Sequence, residues 1–86
     1  MPGASTTPGP LGRAVAAVLE ARRVQVGLTQ KQVGAAIGRH QTKAGEILHG
    51  QRPLNVDQLD ALCSLLGVPP AQVLREAREL MKSGRT

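Results

Sequence analysis

Gln41, Thr42, Lys43 and Glu46 lie within one short segment of this sequence. On a helix, Glu46 follows Thr42 by four residues, so the hydroxyl and the carboxylate share a flank. Gln41 starts that flank and Lys43 lies beside it. An amide both donates and accepts, a hydroxyl does the same from one atom, a carboxylate accepts and an ammonium donates. Such groups can read the edges of DNA bases or hold phosphates.

The segment that must position them is Leu28 to Gly50, LTQKQVGAAIGRHQTKAGEILHG. Its pattern predicts two short helices joined by a tight turn. Thr29 can cap the first helix, its hydroxyl accepting from an otherwise unpaired backbone N–H. Val33, Ala36 and Ile37 then fall at i, i+3 and i+4 and form an apolar stripe. Gly38 ends that helix in the left-handed region. Arg39 and His40 make the turn, and Gln41 to His49 is the second helix, stopped by Gly50. Ala44, Ile47 and Leu48 face inward; Gln41, Thr42, Gly45 and Glu46 face out.

The flanking sequence supplies the rest of a small helical domain. A chain of 86 residues forms one domain at most, with a modest core. It contains no Phe, Tyr or Trp, so that core is aliphatic, and its Ala-rich composition favours helices over sheet. A first helix spans about Leu11 to Val24, with Leu11, Val15, Val18 and Leu19 on one face and Arg22 and Arg23 in its last turn. Pro53 interrupts the chain after the central pair. Asn55 then caps a fourth helix from about Val56, with Asp57 in its first turn and Leu59, Leu62, Cys63 and Leu66 along its face. Gly67 ends it. Pro70 opens a fifth helix, whose stripe is Val73, Leu74, Ala77, Leu80 and Met81. Residues 1–10 read as a disordered tail, 11–82 as the domain, and 83–86 as a frayed end. The fold class expected is all-α, a compact five-helix domain.

Charge separates these parts. From Arg22 to Arg52 six basic residues face one acid, Glu46; from Pro53 to Leu80 two basic residues face four acids. The net charge of +5 is thus concentrated on the central helix pair, as on a polyanion-binding face. His40, His49 and Cys63 do not have the spacing of metal ligands, so no metal is expected. Ser64 and Cys63 lack a placed base, and no phosphate-cradling glycine loop is present, so neither an enzyme nor a cofactor is expected. One cysteine, no signal-peptide pattern and no apolar run of transmembrane length point to a cytoplasmic location.

From about Val18 to Leu74 the sequence resembles the helix-turn-helix domain of the lambdoid phage Cro and repressor (XRE-like) family. The resemblance rests on ARRVQVGLTQKQVG, IGRHQTKAGEILHGQRP and LDALCSLLGVPPAQVL, in that order. It implies a lambda-repressor-like fold with the Gln41–His49 helix in the major groove of double-stranded DNA. It assigns base reading to Gln41, Thr42 and Glu46. Gln41 would pair with adenine N6 and N7, Thr42 would meet a thymine methyl or a phosphate, and Glu46 would accept from cytosine N4. Positioning on phosphates falls to Arg23, Thr29, Gln30, Lys31, Arg39, His40, Lys43 and Arg52. Leu80 and Met81 would form a homodimer contact, and a dimer would bind a near-palindromic operator.

Four positions depart from the family pattern. Leu48 stands where the family has an acid facing the Arg23 position, which leaves that guanidinium free for phosphate. Gly34 replaces the usual Ala and lets the central helices approach closely. Gly45 removes a reading side chain, and Ala44 replaces a larger aliphatic. The function these features imply is a small regulator of Cro or immunity-repressor type. Two other readings share the fold: an antitoxin that represses its own operon, and a protein-interaction module without sequence-specific DNA binding.

Overall fold

The computed structural model describes residues 8–83. Helix α1 (Pro10–Val26) is the spine. Pro10 occupies its first turn, where a missing N–H costs nothing. The helix buries Ala14, Val15, Ala16, Val18 and Leu19. Helices α2 (Gln30–Ile37) and α3 (Gln41–Leu48) pack as a pair, with α3 against α1. Helix α4 (Val56–Leu66) closes over α2, and α5 (Pro70–Ser83) runs back along α1 in the most extensive helix contact of the fold. The described residues form five helices and no strand, in agreement with the all-α expectation.

All five helices contribute to one core. Leu19, Val33, Ala44, Leu48, Leu62, Cys63, Val73 and Ala77 are buried in it, and Val68 joins from the α4–α5 connection. Leu11, Leu28, Ile37, Leu54, Leu59, Leu74 and Met81 pack around its edge. No aromatic side chain is available, so the interior is filled by small branched groups on short helices. Burial pushes the Cys63 thiol above its ordinary range, with the Asp60 charge adding to the effect. Inside this core it behaves as a small hydrophobe.

The boundaries differ from the expected ones in informative ways. Helix α1 is longer at both ends than Leu11–Val24. Pro8 is buried and its carbonyl accepts from Arg13 Nη1 at 2.9 Å, so Pro8, Gly9 and Pro10 belong to the domain rather than to a tail. The rest of the expected tail, residues 1–7, lies outside the described residues, as do 84–86. Ser83 is the last residue of α5, which places it in the helix instead of a frayed end. On α2 the inward face is Val33, Gly34 and Ile37; Ala36 is exposed. Gly34 and Ala36, two positions apart, lie on nearly opposite faces of the helix, and the turn into α3 covers the Gly34 face.

Candidate nucleic-acid interface

The turn between α2 and α3 sets the geometry of the pair. Thr29 caps α2 reciprocally with Gln32: the Gln32 N–H donates to the Thr29 hydroxyl at 3.1 Å, and the Thr29 N–H donates to Gln32 Oε1 at 2.8 Å. Two unpaired donors are thereby satisfied at once. At the other end Gly38 adopts φ +68°, a left-handed conformation that suits glycine. Gly34 is required for a different reason. A Cβ there would sit 2.6 Å from the Arg39 carbonyl oxygen, so the turn passes directly over the α2 backbone. The expected closer packing at Gly34 is therefore a contact between α2 and the turn that leads into α3.

Helix α3 begins at His40. Its ring Nδ1 accepts from the Thr42 N–H at 3.1 Å, a capping role that holds the imidazole against the first turn. Gln41, Thr42 and Lys43 are exposed beyond it, while Ala44, Ile47 and Leu48 are buried beneath. Gly45 is also buried, contrary to the expected outward position. The Gln30 side chain lies over it, with Oε1 3.0 Å from where a Gly45 Cβ would stand. Gln30 is thus half-buried between the two helices. Absence of a side chain at Gly45 makes room for Gln30.

The carboxylate and the cations are organised around α3. Glu46 accepts from Arg52 Nε at 2.9 Å and lies 3.9 Å from Lys43 Nζ. The Arg52 hydrogen bond, followed by the nearby Lys43 charge, holds the Glu46 carboxyl below its ordinary range, so it is ionised at neutral pH. Arg39, Lys43 and Arg52 border one shallow cleft of about 320 Å³ beside the capped start of α4, where Asn55 and Gln58 form a second reciprocal cap. The structure therefore brings together Arg39, Lys43, Glu46 and Arg52, with Gln41 and Thr42 exposed at the start of the same helix. Lys31 is exposed in the first turn of α2. A negative charge within a basic face disfavours a polyanion unless cations offset it, and Arg52 and Lys43 provide that offset.

Arg23 corrects one expectation. It is not left free by the absence of an acid at position 48. Its Nε and Nη2 donate to the two oxygens of Glu20 at 2.7 and 2.9 Å, and its Nη1 donates to the Leu28 carbonyl at 2.7 Å. The Glu20 hydrogen bond holds the guanidinium above its ordinary range, and the same contact with Arg23 leads the causes that hold the Glu20 carboxyl below its own. The acid comes from one helical turn earlier on α1 instead of from α3. Sequence reasoning missed Glu20, although its i,i+3 spacing to Arg23 was the available signal. It also missed Gln32 and Gln58, the return halves of the two caps. At the far end of the fold, Leu80 is 44% exposed, whereas Met81 is half-buried against the core. Among the described residues no cluster of three or more His, Cys, Asp or Glu side chains could hold a metal ion.

Architecture and turn geometry together describe a helix-turn-helix module, and comparison with known proteins agrees. The helix-turn-helix domain family matches residues 14–78, and the chain belongs to it. Two crystal structures of the clp gene regulator ClgR from Corynebacterium glutamicum are similar to this chain at 28% identity. One has a TM-score of 0.78 and covers 84% of this chain and 77% of that one. The other has a TM-score of 0.75, with coverage of 83% and 92%. A hypothetical transcription factor, NHTF, from Neisseria shares the fold at 20% identity, with a TM-score of 0.69 and 95% coverage of each chain. No curated protein sequence matches.

Proposed function

We propose that this protein is a sequence-specific regulator of transcription that binds double-stranded DNA with α3 in the major groove, acting as a repressor by occupying its operator. One observation carries the reading. The exposed start of α3 presents Gln41 and Thr42 on a helix whose flank gathers Arg39, Lys43 and Arg52. The similarity to a protein named as a gene regulator supports it.

Gln41 reads adenine through its amide, and Thr42 meets a thymine methyl or the adjacent phosphate. Lys31, Arg39, Lys43 and Arg52 engage phosphates, aided by the N–H groups at the starts of α2 and α3 near Thr29, Gln30 and His40. Glu46 orients Arg52 and, in this reading, accepts from cytosine N4. Leu80, exposed near the end of α5, is the dimer contact, and two half-sites one DNA turn apart form the operator. Met81 contributes chiefly to the core.

Selection from random duplex DNA near physiological ionic strength tests the reading. Two related half-sites about one helical turn apart are expected to be enriched. Gln41→Ala then costs about 1–3 kcal/mol on the selected site and relaxes one base pair. Lys43→Ala weakens all sequences alike and flattens the salt dependence by about one phosphate's share. Failure of the wild-type chain to enrich any sequence would overturn the proposal.

A further inference from the structure

A charged cluster meets α3 at its C-terminal end, opposite the end that carries Gln41 and Thr42. Glu20, on α1, is its centre. One carboxylate oxygen accepts from Arg23 Nε at 2.7 Å, and the other accepts from Arg23 Nη2 at 2.9 Å. That second oxygen also lies 3.6 Å from Nε2 of His49, the residue that caps the C-terminus of α3. Arg23 extends the cluster in the other direction through its bond to the Leu28 carbonyl, one residue before the Thr29 cap of α2. The side chains of Arg23 and Glu20 are only 17% and 24% exposed.

We propose that Glu20 is a positioning residue for α3: one carboxylate on the spine helix fixes the start of α2 through Arg23 and the end of α3 through His49. This rests on α3 being the reading helix. An eight-residue helix has little stability of its own, so its orientation comes from its buried face, Ala44, Ile47 and Leu48, and from what holds its ends. The His40 cap and the Gly34 contact fix its start. At its end, the N–H groups of His49, Gly50 and Gln51 donate back to Gly45, Ile47 and Glu46. His49 is the residue through which a charged group of α1 reaches the helix terminus. The other charged groups near His49 are Arg23 and Arg13, whose side chain packs 3.5 Å from the Cβ site of Gly50. Glu20 is the one acid among the described residues bordering this α1–α3 cleft. Without it, Arg23 and His49 would have no shared acceptor between them, and the end of α3 would lose its polar tie to the spine. Base-edge hydrogen bonds hold over only a few tenths of an ångström, so a small tilt at Gln41 and Thr42 weakens reading while phosphate contacts from flexible side chains survive.

Two measurements on the full chain test this, using Glu20→Gln and His49→Ala. The first is amide hydrogen exchange on the free protein. Glu20→Gln is expected to accelerate exchange about tenfold or more at His49, Gly50, Gln51 and the α2 cap while leaving Val73 and Ala77 unchanged. His49→Ala is expected to open only the α3 end. Uniform acceleration across all helices, or none, would overturn the proposal. The second is affinity for the selected site against random duplex. Glu20→Gln is expected to lower the ratio roughly five- to tenfold with the salt slope unchanged, because no phosphate contact is removed. Local opening with an intact ratio would overturn the positioning role. If the wild-type chain prefers no sequence, the DNA-binding reading fails, and the exchange pattern alone decides whether Glu20 ties the three helices together.

Discussion

Seventeen residues of α1 lie along fourteen of α5, whereas α2 and α3 meet through eight residues each. The long pair is joined by buried aliphatic surface, with the Arg22–Glu76 ion pair at 2.8 Å on its rim. The short pair depends on caps, a glycine contact and the Glu20 cluster, with Val33, Ala44 and Leu48 supplying its share of the core. Stability therefore resides mainly in the long pair, and orientation of the exposed groups in the short one. A module that presents side chains to a partner benefits from this division, because surface residues on α3 can vary without unfolding the scaffold.

The largest expected effect comes from breaking the long pair. Leu19 is fully buried on α1, and Leu19→Ala removes it from the centre of the core. The loss should be about 2–5 kcal/mol, a large part of the stability of a domain this size. Denaturant unfolding measures it, and any DNA binding should fall only in proportion to the folded fraction.

Two glycines sharpen the contrast within the short pair. Gly34→Ala places a methyl 2.6 Å from a backbone carbonyl, which cannot move without displacing the turn. Overpacking of this kind costs about 1–3 kcal/mol, more than the roughly 1 kcal/mol that alanine gains in a helix. Gly45→Ala meets only the end of the Gln30 side chain at 3.0 Å, and that amide can swing aside. The second substitution should be neutral or stabilising by up to about 1 kcal/mol. Thermal unfolding should thus come earlier in Gly34→Ala and at the same or a higher temperature in Gly45→Ala. If both destabilise equally, the distinction between backbone and side-chain contact is wrong.

Local features of the fold were legible in the sequence because local chemistry determines them. Thr29, Asn55, Gly38 and Gly67 stand where caps and stops were expected, and the stripes of α1 and α4 are buried as their spacing implied except at Leu11 and Leu59, which are half-buried at the edge of the core. What failed depended on neighbours distant in sequence. Ala36 and Gly34 are both small, and only the path of the turn, which leaves no room for a Cβ at position 34, reveals that Gly34 faces inward. Gly45 is buried because a side chain from α2 covers it. Position 48 offers Arg23 no acid, and its partner Glu20 instead stands three residues earlier on its own helix. The cations around α3 were legible as a group from their density, but the pairing of Arg52 with Glu46 required the loop to be folded.

Smaller effects separate the two ends of the short pair. Thr29→Ala removes the hydroxyl half of the α2 cap and should cost about 1 kcal/mol, read as a drop in thermal midpoint of roughly 4–8 °C. Thr29→Ser keeps the acceptor and should recover most of that loss. If the serine variant behaves like alanine, packing of the threonine methyl is responsible and the capping argument falls.

The smallest effect is a dependence on acid that links the two pairs. Glu20 and Glu76 both titrate below the ordinary carboxyl value of 4.5, Glu20 chiefly through Arg23 and Glu76 through Gln72 and then Arg22. A carboxyl lowered by folding stabilises the native state above its unfolded value, and that contribution disappears as pH falls through the folded one. Stability should therefore be level from neutral pH to about 5 and decline below it. In Glu20→Gln the decline should be shallower, since one of the responding groups is gone, by no more than about 1 kcal/mol for a pair in partial contact with solvent. Hydrogen exchange during the same titration locates the loss. Amides 49–51 should open further with protonation of Glu20 than those of α5, where loss of the Glu76 charge removes only a rim pair and the apolar burial between α1 and α5 does not titrate. Simultaneous loss in both places would show that the two pairs share a single cooperative unit, with no separate looseness at the exposed face.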